Sequence, residues 1–281
     1  MAHTFKRTLL YFLVVLIVIW TISPYIWLII SSISFKIDLL TTPLHWIPTR
    51  ITLENYRDLF FQKGGTGTNV SLFLLSLRNS LVITLATTTI ALILGVLAAY
   101  SLARLKFPGN QYYMLLMMGA QLLPPIALVI PLYVLLRQFD LLDKHLGLIL
   151  VYQSFILPLV IWLMRGYFAA IPSDLEDAAR IDGCNRLQAL YRVVLPLSGP
   201  GLVSVAVFAF IAAWNEYLYA FIYTNINAKT LPVLIGEFST KLGLEYLRIA
   251  SAGVLASLPP VLLALIFQRF LIRSLTAGAV K

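Results

Sequence analysis

Six stretches of this chain, each about twenty residues or longer, are almost free of charge. They run approximately over residues 9–30, 80–103, 111–136, 146–164, 200–223 and 249–268. About twenty apolar residues in helical form cover the ~30 Å hydrocarbon core of a bilayer. Lipid offers the backbone no hydrogen-bond partners, so each crossing segment satisfies itself internally as a helix. The runs therefore predict an all-α integral membrane protein with six transmembrane helices, built as a single transmembrane domain over residues 1–281. Composition agrees, with 60% hydrophobic and 12% charged residues, where soluble domains have about half and a quarter.

Lys6-Arg7 before the first run look like the start of a secretory signal, but the run is too long and no small-x-small cleavage site follows. It reads as a retained span with a bend at Pro24. The net charge of +9 has no soluble basic face to present to nucleic acid; excess Lys and Arg in a membrane protein marks cytosolic loops. A single cysteine, Cys184, excludes an internal disulfide, and His3, His45 and His145 lack ligand-spaced neighbours. They read as surface or interfacial histidines. The glycines of Lys63–Asn69 are not followed by Lys-Ser or Lys-Thr, so they form no phosphate-binding Walker A loop and read as a flexible tip. Ile51–Phe60 reads as a short amphipathic helix.

One long polar stretch, Pro172–Pro196, interrupts the hydrophobic second half. Ser173 and Glu176 have capping-box spacing, and Asp174, Glu176 and Asp177 fall in a first helical turn that favours acids. Leu175, Ala178 and Ala179 share one face, with Asp182 at its end. Gly183 stands where a helix ends in a left-handed residue. Asn185 with Gln188 looks like a second cap, and Leu187, Leu190, Tyr191 and Val194 form an apolar stripe that Pro196 ends. Two readings follow from the pattern: an amphipathic connector on the membrane surface, or a plug for a partner's groove.

Three spans carry polar groups. Glu216 is an acid between long apolar stretches, where a carboxylate costs roughly 2.5–3.5 kcal/mol on insertion scales. On a continuous fifth helix, Asn215 and Tyr219 are i, i+4, and Glu216, Tyr219 and Tyr223 are i, i+3, i+7. That side could hydrogen-bond and stack against a sugar, or form an interfacial aromatic belt with a snorkelling Glu. Gln121, Pro124, Pro125 and Pro131 predict a broken third span, which either lines a pathway or fits its neighbours. Asn79, Ser80, Thr84, Thr87, Thr88 and Thr89 give the second span a polar side that serves helix packing.

Asp177-Ala178-Ala179, three residues, Gly183, nine residues and Val193-x-Leu195-Pro196 resemble the EAA loop of binding-protein-dependent ABC transporter permeases, whose pattern has Glu for Asp177 and Ile for Val193. Leu175–Gly183 is similar to the carbohydrate-uptake branch, of which the maltose permease subunits are typical. Trp214-Asn215-Glu216, the Thr52-Leu53-x-Asn55-Tyr56 segment and the tail Leu275–Lys281 also resemble that branch. The tail lacks the glycines at Ser274 and after Lys281. The resemblance implies a cytosolic helix-turn-helix coupling loop, approximately 169–197, between the fourth and fifth spans. Glu176, Asp177, Ala178, Ala179, Asp182, Gly183, Leu195 and Pro196 would couple it to an ATPase. It implies a second permease subunit of different sequence, two ATPase subunits that hold ATP and Mg, and an extracytoplasmic solute-binding protein, with no cofactor in this chain and no enzymatic activity of its own. Gln121, Asn215, Glu216, Tyr219 and Tyr223 are the candidate substrate pathway.

The location implied is the inner membrane of a prokaryote with both termini cytosolic. Charge alone barely discriminates, since that orientation puts eleven of the 21 basic residues inside. The short loop Arg104–Gly109, basic and acid-free, favours the cytosol. The outer segments are then about 36–78, 137–145 and 224–248. Two rivals remain: an ion-coupled secondary carrier using Glu216, and a membrane enzyme, for which no nucleophile–base pair or acid cluster is evident.

Overall fold

The computed structural model describes residues 2–41, 46–48, 50–61, 71–105, 107–240 and 243–276. The glycine-rich tip, His45 and the last five residues of the tail lie outside these. The order is α1 (Ala2–Ser32), α2 (Lys36–Leu40), α3 (Glu54–Phe61), α4 (Leu72–Arg104), α5 (Asn110–Ala120), α6 (Pro125–Gln138), α7 (His145–Ala170), α8 (Ser173–Ile181) and α9 (Arg186–Ala189). A π-helical turn (Leu190–Val194) leads into α10 (Leu195–Leu197), α11 (Gly199–Trp214), α12 (Leu218–Tyr223) and α13 (Leu231–Glu237). The two-residue strands β1 (Ser239–Thr240) and β2 (Gly243–Leu244) pair antiparallel before α14 (Tyr246–Thr276).

Among the described residues, α1, α4, α7 and α14 are long and apolar enough to cross a membrane. Two bent pairs bring the number to six if each is one span: α5 with α6 at 94°, and residues 186–197 with α11 at 82°. The break between α5 and α6 falls at Gln121–Pro124, where Pro124 and Pro125 supply no N–H to continue the helix. The expected continuous helix over 200–223 is corrected: it stops at Trp214 and resumes at Leu218.

Contacts divide the chain into two units, residues 1–75 with 234–258 and residues 76–233 with 259–281. In the first, α3 grips the end of α1. Asn55 Nδ2 donates to the carbonyls of Ser32 (3.0 Å) and Ser34 (3.1 Å), and the Tyr56 hydroxyl meets Ser32 Oγ at 2.6 Å. Tyr25 Oη and Ser257 Oγ join α1 to α14 at 2.8 Å. The Thr-Leu-x-Asn-Tyr segment is thus a structural clamp.

In the second unit α7 is central. Leu148, Tyr152, Ile156, Val160, Met164 and Phe168 recur every fourth residue and are almost fully buried, which is one face of a helix. Ala91, Gly95 and Ala99 of α4 recur likewise. A Cβ on Gly95 would stand 2.5 Å from Val160 Cγ1, so glycine sets the close approach of α4 to α7. Asn79, Ser80, Thr84, Thr87 and Thr88 are buried, in keeping with a packing role.

Candidate functional site

The polar stretch folds around local caps and one long-range anchor. Gly183 adopts φ 91°. Its N–H reaches the Arg180 carbonyl at 3.1 Å and that of Cys184 reaches Ala179 at 3.0 Å, the paired bonds of a Schellman ending. Asn185 and Gln188 cap α9 reciprocally, at 2.9 and 2.8 Å. The first predicted capping box does not form. Pro172 is the N-cap of α8, without a side-chain bond, and the Ser173 hydroxyl turns to Asp174.

Glu176 is drawn elsewhere. It is buried, accepts a hydrogen bond from the Tyr100 hydroxyl, and its Oε2 lies 3.2 Å from Arg104 Nε. Arg104 Nη2 also donates to the Ile171 carbonyl at 2.7 Å, and Tyr100 Oη lies 3.3 Å from the Arg186 carbonyl. A charge-assisted contact in a site shielded from water outweighs a backbone cap exposed to it.

The other α8 residues face out. Asp177, Ala178, Asp182 and Gly183 are exposed and Ala179 is half-buried. Asp177 pairs with Arg180 at 3.4 Å. Leu175 and Ile181 are 46% and 86% exposed, leaving an apolar outer face. The stripe beyond it splits, with Leu190 and Val194 buried but Leu187 and Tyr191 exposed. Pro196 does not end the helix outright. The π turn precedes it, with the Leu195 N–H bonded to the Leu190 carbonyl, and the sharp bend comes at Ser198. Leu195 is half-buried and Pro196 exposed.

The fifth-span residues do not form one stripe. Glu216 sits in the break between α11 and α12, and its carboxylate accepts from the N–H groups of Tyr219 (2.8 Å) and Ala220 (3.1 Å). It caps α12 in the manner of a side-chain N-cap. The Tyr152 hydroxyl lies beside it but outside hydrogen-bond geometry. Tyr219 and Tyr223 are buried and stacked at 5.8 Å. Their hydroxyls donate to the α6 carbonyls of Pro125 (3.4 Å) and Val129 (2.8 Å). Asn215 is exposed. Gln121, exposed in the α5–α6 break, donates to the Phe155 carbonyl at 3.0 Å, and the Phe155 ring stacks on Tyr219. The two helix breaks therefore meet across the middle of α7.

Sequence reasoning missed two anchors near the start of α7. Asp143 Oδ1 accepts from the backbone N–H groups of Asn225 (2.9 Å) and Ala228 (3.1 Å). Its Oδ2 accepts from those of Asn227 (3.1 Å) and Ile226 (3.3 Å). Asn79 Nδ2 donates to the carbonyls of Asn227 (2.9 Å) and Lys229 (3.0 Å), and Asn79 Oδ1 meets His145 Nε2 at 2.8 Å. His145 is thus half-buried and partnered rather than a free surface residue. Partners 66 to 150 residues apart leave no local signal.

Partial burial pushes the Asp143 carboxyl up, but the N–H groups of Asn225, Ala228, Asn227 and Ile226 outweigh it and hold the pKa below its ordinary 3.8. A lowered folded pKa gives stability that is complete above the unfolded value and fades as pH falls through the folded one. Asp143→Asn is therefore expected to melt lower than the parent at pH 7, with the gap narrowing below pH 3.8. Thermal melts of both proteins in detergent check this; a gap independent of pH would refute it.

Residues 91–277 match the family described as binding-protein-dependent transport system inner membrane component. The chain is 41% identical over 273 residues to the trehalose transport system permease protein SugB of Mycobacterium tuberculosis, covering 95% of this chain and 94% of that one. It is 34% identical over 278 residues to the trehalose/maltose transport system permease protein MalG of Thermococcus litoralis, covering 98% and 97%. Its fold is similar to a chain of a bacterial ABC transporter involved in the import of the acidic polysaccharide alginate, with TM-score 0.77, 22% identity and 95% and 97% coverage.

Proposed function

Because this chain belongs to the binding-protein-dependent transport system inner membrane components, we propose that it is the permease subunit of an ATP-driven ABC importer for a carbohydrate or a related polyol. It lies in the inner membrane as one six-span permease domain, with the segment 169–197 and both termini on the cytosolic side. Solute crosses by alternating access, a rigid-body change of the helices around a central pathway. A separate pair of ATPase subunits binds ATP and Mg, a second and different permease subunit completes the pathway, and an extracytoplasmic protein delivers the solute. The trehalose and maltose named in the relatives support the carbohydrate reading.

The observation that carries the coupling role is α8 itself. So short a helix is marginal in water, yet this one is closed by a Schellman ending and tied underneath through Glu176. Its outer side stays free, with Asp177, Ala178, Ala179, Asp182 and Gly183 beside exposed Leu175 and Ile181. That is a ready surface for helix-in-groove docking. Glu176 anchors the loop from within, and Leu195 and Pro196 join it to α11. Along the pathway, Asn215 and Gln121 are the exposed polar groups at the two breaks, and Glu216, Tyr219 and Tyr223 shape the break behind them. An ion-coupled carrier is not favoured, because the Glu216 carboxylate already caps α12.

Affinity purification of the tagged chain in mild detergent tests the reading. An ATPase subunit is expected to co-purify, and Ala178→Arg, which puts a long charged side chain on the docking face, is expected to lose it while remaining in the membrane. Recovery of the chain alone, with uptake that collapses when the proton gradient is removed, would restore the carrier.

A further inference from the structure

Buried polar contacts hold α4 at both ends, and at each end they grip segments far away in the sequence. At one end stand Tyr100 and Arg104, one turn apart. Between them they hold the Ile171 carbonyl before α8, Glu176 within it, and the Arg186 carbonyl at the start of α9. At the other end stand Asn79 and Ser80. Asn79 holds the carbonyls of Asn227 and Lys229, and Ser80 Oγ accepts from the Leu231 N–H at 2.7 Å, fixing the loop between α12 and α13. Roughly 37 Å of helix at 1.5 Å per residue separates Asn79 from Arg104, enough to put the two grips on opposite sides of a ~30 Å hydrocarbon core.

The segment between the grips is one continuous helix without proline. Of the four long helices, α1 contains Pro24, α7 contains Pro158 and α14 contains Pro259 and Pro260, whereas α4 has no proline. Proline removes a helical hydrogen bond and is the usual site of a hinge. The covalent routes away from α8 run through α7 with its Pro158, or through α9 and α10 and the 82° bend into α11. Gly95 brings α4 close to Val160 of α7, with buried Ala91 and Ala99 one turn to either side of it.

From these contacts we infer that α4 is a transmission rod: displacement of α8 is passed through Tyr100 and Arg104 along α4 to the loop Asn225–Leu231, held by Asn79 and Ser80. Tyr100, Arg104, Asn79 and Ser80 are positioning residues and touch no solute in this scheme. The inference rests on the coupling role of α8 proposed above. It requires that breaking either grip uncouple the loop from events at α8, while the docking face stays intact.

Asn225 offers a reporter, because its side chain is exposed and only its backbone N–H is used. The parent for the test carries Asn225→Cys with the one native cysteine removed as Cys184→Ser. It is purified with the complete transporter, reconstituted, and labelled with a membrane-impermeant maleimide, without nucleotide and after trapping with ATP and vanadate. Labelling of the parent is expected to change about tenfold between the two conditions, within the usual range of coupling between sites. In Tyr100→Phe and in Asn79→Ala the ratio is expected to fall to about one, with the ATPase subunit still co-purifying. Ser80→Ala, which removes one hydroxyl, takes the place of Asn79→Ala if that variant is missing from membranes. Variants that respond like the parent, or a parent whose labelling ignores nucleotide, overturn the rod. Failure of the parent to retain any ATPase would instead refute the coupling reading on which it rests.

Discussion

Exchanging Arg104 for methionine is expected to destabilise the protein by about 3–5 kcal/mol, the usual cost of leaving one partner of a buried ion pair without the other. The Arg104 and Glu176 side chains are only 12% and 11% exposed, with Nε and Oε2 3.2 Å apart. Methionine keeps most of the apolar stem of arginine but removes the cation. Glu176 would then keep only the Tyr100 hydroxyl, and the Ile171 carbonyl would lose its donor. For a chain of this size, a loss of that order corresponds to a fall of roughly 10 °C in melting midpoint. The double replacement Arg104→Met with Glu176→Leu is expected to recover most of the loss, because an apolar pair of similar volume replaces a buried ion pair at little cost. Melts of the purified variants in one detergent decide the matter. A double variant as unstable as the single, or a single variant as stable as the parent, would show that the pair does not anchor α8.

Glu216→Leu is the second large effect. The carboxylate is the acceptor for the N–H groups of Tyr219 and Ala220 where the backbone breaks between α11 and α12. Leucine fills a similar volume and accepts nothing. Two backbone donors would be left unpaired in an apolar setting at about 1–3 kcal/mol each, so a total of about 2–6 kcal/mol and loss of uptake are expected. Glu216→Gln keeps one oxygen and is expected to be mild, with uptake that still follows ATP and ignores a protonophore. A secondary carrier predicts the reverse, because glutamine has no proton to exchange. Uptake by Glu216→Gln with and without the protonophore separates the two roles.

The contrast between Gly183 and Glu176 shows which parts of the loop were legible. Gly183, Asn185 and Gln188 act on backbone groups within a few residues, so their spacing alone announces them, and all three act as their positions suggest. Glu176 sits at an equally good capping position but has partners 76 and 72 residues earlier, Tyr100 and Arg104. No local rule weighs a cap in water against a cation in a buried site. The fifth span illustrates the same limit. Apart from Asn215 and Glu216 its composition stays largely apolar through Tyr223, and the break becomes intelligible only once Glu216 turns back to cap α12 and the tyrosine hydroxyls reach the α6 carbonyls.

Sequence by itself determined the long apolar helices, the bend at Pro124-Pro125, the caps at Gly183 and Asn185, and the spacing that marks the family. Each of these is a matter of local hydrogen bonding or of the preference of apolar side chains for lipid, and both are written in consecutive residues. Tertiary structure alone decided which polar groups face the interior: Glu176 beneath α8, Asp143 under the 225–228 loop, Asn79 beside His145, and Tyr219 and Tyr223 against α6. A buried polar group must find its partner wherever the chain brings one within about 3 Å, and that place is set by the packing of helices rather than by the order of residues.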